Sequence, residues 1–232
     1  MKTLLKHIRR IALYFLFFTN IWVLAYRFLP VPMTPLMVIR LIEDRKENLP
    51  LRYVWMRADQ ISEYAYLAAI VSEDQNFFKH RGFDFGAIEK AMKHNKNSNR
   101  IRRGASTISQ QLAKNLFLWP GRSWIRKGFE VYFTILLELY WPKKRILSTY
   151  LNVVEMGRNV FGIEAAAQYY FKKPAVRLTD AECSQIIAIL PSPRKWRANP
   201  PGPYVMKRSA WILRQMRLFG GITYLHLHHC CH

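Results

Sequence analysis

The strongest constraint on this chain lies at its start. Lys2, Lys6, Arg9 and Arg10 precede an apolar run from Ile11 to Tyr26, and Arg27-Phe28-Leu29 follows. As a helix, Ile11 to Leu29 rises roughly 28 Å, enough to cross the hydrocarbon core of a bilayer. Asn20 is the one strongly polar side chain inside the run. Arg27 can snorkel to the interface at the far end, where Trp22 and Tyr26 suit an aromatic belt. A cleaved leader ends in a small-x-small site, whereas this segment runs into Tyr26-Arg27-Phe28-Leu29-Pro30. Residues 1–29 therefore read as a basic N-terminus and an uncleaved single-pass anchor. The cations before the span predict a cytoplasmic N-terminus. Everything from about Pro30 onward then lies outside the inner face, in a bacterium the periplasm or outer surface.

This placement gives the charge its meaning. Lys and Arg number 36 against 15 Asp and Glu, a formal charge of +21 that calls for an anionic partner. Outside the cytoplasm that partner is a lipid headgroup or a lipid-linked phosphate. Nucleic acid is excluded on the same ground, and no zinc-finger, RNP or helix-turn-helix signature supports it. A hydrophobic content of 50% rules out a disordered chain. Three cysteines, Cys183, Cys230 and Cys231, are too few for a disulfide-stapled module.

Residues 30–58 read as a linker and membrane-proximal segment, kept extended and without helix by Pro30, Pro32 and Pro35. A helix is predicted over 59–72 with Asp59 as its N-cap. Residues 93–103 are polar, basic and aperiodic, and read as a mobile loop. Thr107-Ile-Ser-Gln110 is a capping-box pattern that opens the next helix. Further helices are predicted over 124–140, from Pro142 to about Val154, after Gly162, over 179–190 and near 203–218. The tail, 221–232, ends in His226-Leu-His-His-Cys-Cys-His232. Its spacing matches no zinc pattern, and it reads as disordered. No β-hairpin alternation, repeat, P-loop or dinucleotide fingerprint appears. Residues 59–220 thus form one mostly helical domain packed around a cleft.

Three segments carry chemistry. Glu73-Asp74 close the first domain helix. There a carboxylate meets the negative end of the helix dipole, and Phe77 and Phe78 would add desolvation, so both effects work toward a usable general base. Two solvated acids at a helix end are the plainer reading of that segment alone, and His80 reads as a hydrogen-bonded scaffold residue. In Gly104-Ala-Ser-Thr-Ile-Ser-Gln-Gln-Leu-Ala-Lys-Asn115, helical spacing pairs Gln110 with Lys114 and Gln111 with Asn115 in a polar ridge opposite Ile108, Leu112 and Leu116. Such a ridge can hold hydroxyls and phosphate oxygens. Arg122 and Arg126-Lys127-x-x-Glu130 supply either a surface ion pair or a cationic cradle with an acid inside it. Together these residues suit sugar transfer from a diphosphate donor, whose leaving group needs charge neutralisation more than a proton. A glycoside hydrolase would need a proton donor to its alcohol leaving group instead.

At these residues the chain closely resembles the peptidoglycan glycosyltransferases, specifically their monofunctional biosynthetic branch. Five ordered motifs carry the resemblance over roughly residues 30–220: Glu73 to Asp84, Gly104 to Asn115, Arg126 to Glu130, Lys144 to Asn152 and Phe161 to Gln168. The resemblance implies a mostly α, lysozyme-like fold with a large head lobe and a small, mobile, membrane-apposed lobe where the 93–103 loop falls. It implies polymerisation of lipid II into glycan strands with inversion at the donor anomeric carbon. Glu73 would deprotonate the acceptor 4-hydroxyl, and Lys114 and Arg122 would neutralise the donor diphosphate. Glu130, the second family acid, would organise the donor site. Asp74, Ser106, Thr107, Gln110, Gln111, Arg126 and Lys127 would shape the cleft. No organic cofactor is implied, and there is room for a divalent metal, Mg²⁺ or Mn²⁺, at the diphosphate. The implied partners are lipid II, the growing lipid-linked strand, the membrane, and other wall-synthesis or division proteins. Many family members have Glu where this chain has Ser148, so no chemistry is assigned there. The chain stops near the end of the domain, so cross-linking is expected to fall to another protein. Two other classes compete: a lysozyme-like hydrolase, which the cation string from Lys114 to Lys127 disfavours, and a non-catalytic scaffold, which the intact motifs disfavour.

Overall fold

The computed structural model describes residues 2–96, 106–121 and 123–228. It is mostly helical. The anchor is one long helix, α1 (Lys2–Phe28). Its C-terminal half is not free, because it packs along α6 (Trp124–Tyr140). Phe15 meets Phe129 and Tyr132 at ring-centroid distances of 5.8 and 5.7 Å. Thr19 and Tyr132 share a 2.7 Å hydrogen bond, and Tyr140 donates to Asn20 Oδ1 at 2.5 Å. The polar residue of the span thus has its partner in the domain. Arg145 donates to the carbonyls of Tyr26 and Leu29, placing a cation on the unsatisfied C-terminal end of α1.

The segment after the anchor departs from the extended linker expected over 30–58. It contains α2 (Pro35–Glu43), because Thr34 Oγ1 caps the Met37 amide and Pro35 sits where a helix needs no N–H. Pro35 starts this helix rather than preventing it. The segment also contributes β1 (Arg52–Tyr53), which pairs in parallel with β3 (Val160–Phe161); β3 pairs antiparallel with β2 (Glu155–Gly157). These strands of two or three residues are too short for an alternation signal, so the sequence reading missed them.

Two central helices, α3 (Glu63–Glu73) and α5 (Ile108–Phe117), carry the chemistry-bearing motifs. α3 begins later than expected. Asp59 lies in a separate 3₁₀ turn, Ala58–Gln60, paired with Arg57, and Ser62 is the residue before α3. α3 is buried from Ala65 to Val71, packed by α7 (Lys143–Val153), α9 (Asp180–Ala188) and α10 (Pro203–Leu218). The predicted capping box is present: Thr107 Oγ1 accepts from Gln110 N, and Gln110 Oε1 accepts from Thr107 N. α4 (Phe85–Lys96) takes up the start of the stretch expected to be a loop; 97–105 lie outside the described residues. The tail is also partly helical, contrary to expectation. In α11 (Thr223–Leu227), Leu225 is buried and His226 pairs with Glu63 at 3.0 Å. His228 stacks on Phe78 at 4.3 Å, and 229–232 lie outside the described residues.

The turn into α8 (Ile163–Phe171) depends on Gly162. Its φ is +81°, and an added Cβ would stand 2.2 Å from the Asn152 carbonyl oxygen, which belongs to α7. Asn152 in turn holds the 56 segment, accepting from Met56 N at 2.7 Å and donating to Met56 O at 3.0 Å. Replacing Gly162 with Ala adds backbone strain to a collision with backbone. Urea unfolding in detergent should show a loss on the order of 3 kcal/mol or more. A wild-type midpoint would mean that the loop can move off Asn152.

Candidate active site

The site is built where α3 ends against the start of α5. Asp74 follows the last residue of α3 and is only 6% exposed. Its carboxylate accepts from the Ile108 amide at 3.0 Å, at the N-terminus of α5, where the helix dipole favours an anion. It also bonds His80 Nε2 at 2.9 and 3.1 Å. His80 Nδ1 accepts from Gly82 N, so Nε2 is the protonated nitrogen that donates to Asp74. His80 is thus a scaffold residue, as expected. Thr107 Oγ1 donates to Gly82 O at 2.6 Å. Gly82, with φ +90°, leaves no room for a Cβ, which would approach Thr134 to 2.8 Å. α3, α5 and α6 close around this point.

Glu73, one residue before Asp74, lines a pocket of about 190 Å³ with Ser106, Thr107 and Asp84. Ser72 Oγ donates to Glu73 Oε1 at 2.9 Å, and Gln111 Nε2 donates to Oε2 at 3.2 Å. Arg208 supports Ser72 from α10 at 3.1 Å. Behind Gln111 stands Tyr150, whose hydroxyl donates to Gln111 Oε1 at 3.1 Å. That bond orients the amide so that its NH₂ group faces Glu73. Tyr150 is fully buried, and burial, reinforced by the charges of Glu73 and Asp74, holds its phenol well above the usual range. It stays a neutral donor.

On the far side of Gln111 is a cleft of about 390 Å³, lined by Gln111, Lys114, Trp119, Arg126, Leu36 and Glu155 among others. Lys114 is exposed to this cleft and has no ion pair with a described residue. Crowding by protein pushes its ammonium pKa down, chiefly by desolvation. Arg126 and Lys127 act in the same direction, and Glu130 and Glu73 oppose it. Glu130 is 4% exposed and no surface residue: Arg126 Nη1 reaches Oε2 at 2.8 Å and Lys127 Nζ reaches Oε1. The Nε of Arg126 is buried without a partner. An unpaired ammonium and an unsatisfied guanidinium N–H in one cleft suit an oxyanion ligand.

The structure divides the residues singled out in the sequence. Glu73, Gln111, Lys114, Arg126, Lys127 and Glu130 converge, and Ser106 lies exposed beside Glu73. Gln110 and Asn115 do not join Gln111 and Lys114 in the expected open ridge, and Thr107 is the cap that holds Gln110. Thr107 and Gln110 are both buried and bound to each other in the capping box, and Asn115 is buried as well. Arg122 lies outside the described residues. Tyr150, Arg40 and Glu155 were missed. Arg40 of α2 stands 3.3 Å from Glu155, whose carboxyl burial pushes up against the pull of Arg40 and Arg194. A divalent cation fits poorly at Glu130, since both its oxygens already bind cations. Among the described residues no group of three His, Cys, Asp or Glu is placed to hold a metal.

A family model described as transglycosylase matches residues 43–217, beginning at the end of α2 inside the stretch read as linker. Similar proteins include one from Mannheimia succiniciproducens, 49% identical over 97% of this chain and 92% of that one. One from Bacteroides thetaiotaomicron is 47% identical over 94% and 88%, and one from Bdellovibrio bacteriovorus 49% over 93% and 86%. Each carries the name biosynthetic peptidoglycan transglycosylase.

The electrostatics of the cleft can be read directly. In an NMR titration Lys114 should lose its proton at lower pH than the surface lysines. Glu130→Gln should lower that midpoint further, because it removes a charge that holds the proton on. Titration together with the surface lysines would contradict the crowding that the cleft imposes.

Proposed function

The chain belongs to the transglycosylase family, and on that premise we propose how its cleft works. The protein is a peptidoglycan glycosyltransferase that polymerises lipid II into glycan strands during cell-wall synthesis. Its helix α1 fits a membrane-anchored enzyme. Our reading adds an inner-membrane location, a cytoplasmic N-terminus and a periplasmic catalytic domain. It also adds contacts with other wall-synthesis or division proteins.

Glu73 is the base in this reading. It takes the proton of the acceptor 4-hydroxyl as that oxygen attacks the donor anomeric carbon from the face opposite the diphosphate. The carbon–oxygen bond to the diphosphate breaks, its electron pair leaves with the lipid diphosphate, and the configuration inverts. Lys114 and Arg126 offset the charge gained by the leaving group. Arg122 joins them by its motif alone. Glu130 holds Arg126 and Lys127 in position, and no step runs through a metal. The observation that supports this most is the position of Gln111, which binds Glu73 on one side and lines the cation-bearing cleft on the other. A hydrolase would need a free acid on the leaving-group side, and both oxygens of Glu130 are engaged by cations.

Purified full-length protein should polymerise lipid II, and a folded Glu73→Gln variant should be slower by about 10²–10⁴-fold. A rate near wild type would remove Glu73 from the role of base. Tyr150→Phe should lower kcat about tenfold with little change in KM, because Gln111 loses its orienting bond. In a Gln111→Ala background the same change should cost almost nothing further. Additive losses would mean that Tyr150 acts on packing and not through Gln111.

A further inference from the structure

A second concavity lies outside the catalytic cleft and shares no lining residue with it. This groove of about 680 Å³ runs between the turn after α3 and the second half of α6. Phe78, Lys79, Arg81, Ile135, Leu139 and Trp141 are among its lining residues. Its floor is unusual for a water-facing surface. Ile135 is 52% exposed and Leu139 67%, and they continue a stripe begun by Val131 at helical spacing. Its rim is cationic. The one acid in it, Glu138, already accepts from Lys143 at 2.7 Å and from Ser109 at 2.5 Å. Lys79 and Arg81 have no ion pair with any described residue.

The position of the groove says what covers the floor. Trp141 lines it and donates Nε1 to the Val23 carbonyl of α1 at 2.9 Å. Val23 lies six residues before Leu29, so this contact is about 9 Å inside the outer end of the apolar span at ~1.5 Å per residue. That contact is level with Trp22 and Tyr26, the aromatic belt of the span, so the floor of the groove lies in the outermost acyl layer and its cationic rim toward the headgroups. An apolar stripe there faces lipid, and free cations beside it meet phosphate.

We propose that this groove is a binding site for an anionic phospholipid of the surrounding bilayer. Its acyl chain lies along Val131, Ile135 and Leu139, and its phosphate engages Lys79 and Arg81. The inference rests on α1 as the membrane anchor and not on the transfer reaction.

Native mass spectrometry of the full-length protein in detergent tests it, with phosphatidylglycerol and phosphatidylcholine titrated separately. The wild type should retain phosphatidylglycerol about tenfold more tightly than phosphatidylcholine, as two cations near an anionic headgroup require. Lys79→Gln with Arg81→Gln should abolish that preference. The same pair of changes at Lys207 and Arg214, exposed on α10, should leave it intact. Ile135→Ser with Leu139→Ser should weaken both lipids alike. Equal retention of the two lipids by the wild type, or an unchanged preference in the Lys79/Arg81 variant, would overturn the proposal. So would displacement of phosphatidylglycerol by stoichiometric lipid II, which would assign the groove to the substrate. Polymerisation of lipid II by the Lys79/Arg81 variant, measured in parallel, keeps this outcome separate from the assignment of Glu73.

Discussion

The bond between the Asp74 carboxylate and the Ile108 amide sets the position of everything else in the site. It joins the C-terminal end of one central helix to the N-terminal end of the next. Burying an ionised carboxylate is costly unless it is well partnered. Here the anion meets a helix N-terminus and a histidine whose tautomer is fixed by Gly82. Two adjacent acids therefore have different fates. Asp74 turns inward and becomes a structural joint, and Glu73 is left facing a small pocket with Gln111 as its partner. The spacing from Asp74 to His80 and Gly82 is architectural, and it is what makes Glu73 available.

Cations are abundant in this chain, but few of them line the cleft. Glu130 converts Arg126 and Lys127 from mobile surface charges into a fixed cradle. Lys114 is left without a described counter-ion in surroundings that disfavour its charge. In the proposed reaction a donor diphosphate would supply the opposite charge, and the interaction would strengthen as the leaving group gains charge. That is the direction in which a transfer reaction is helped.

Much of this was legible in the sequence where the signal was local and periodic. The capping box at Thr107, the helix over 124–140 and the last long helix follow from spacing alone. What was not legible depended on tertiary partners. Pro35 reads equally well as a breaker or as a helix start until Thr34 is seen capping Met37. The short strands carry no period. The tail helix is held by the burial of Leu225 and by His226 and His228, which find partners in Glu63 and Phe78 far off in the chain. Gln110 and Gln111 are adjacent and chemically identical, yet one closes a cap and the other binds Glu73. Tyr150 lies inside the Lys144 to Asn152 motif and Glu155 just beyond it, but no spacing shows that one reaches Gln111 and the other Arg40.

The helix that packs on α1 also carries two of the cleft's cations. Phe129, Tyr132 and Tyr140 of α6 face α1, while Arg126 and Glu130 of the same helix face the cleft. In the proposed membrane-anchored enzyme, packing of α6 on α1 would fix the height of the cradle relative to the bilayer. A donor whose diphosphate is tethered to a membrane lipid presents that group at one depth only. A soluble domain on a flexible linker would have to find this depth anew in each cycle, with the associated loss of orientation entropy. Arg145 on the α1 carbonyls and Trp141 on Val23 remove that freedom in advance. The anchor is thus part of how the site is positioned, and not merely a tether.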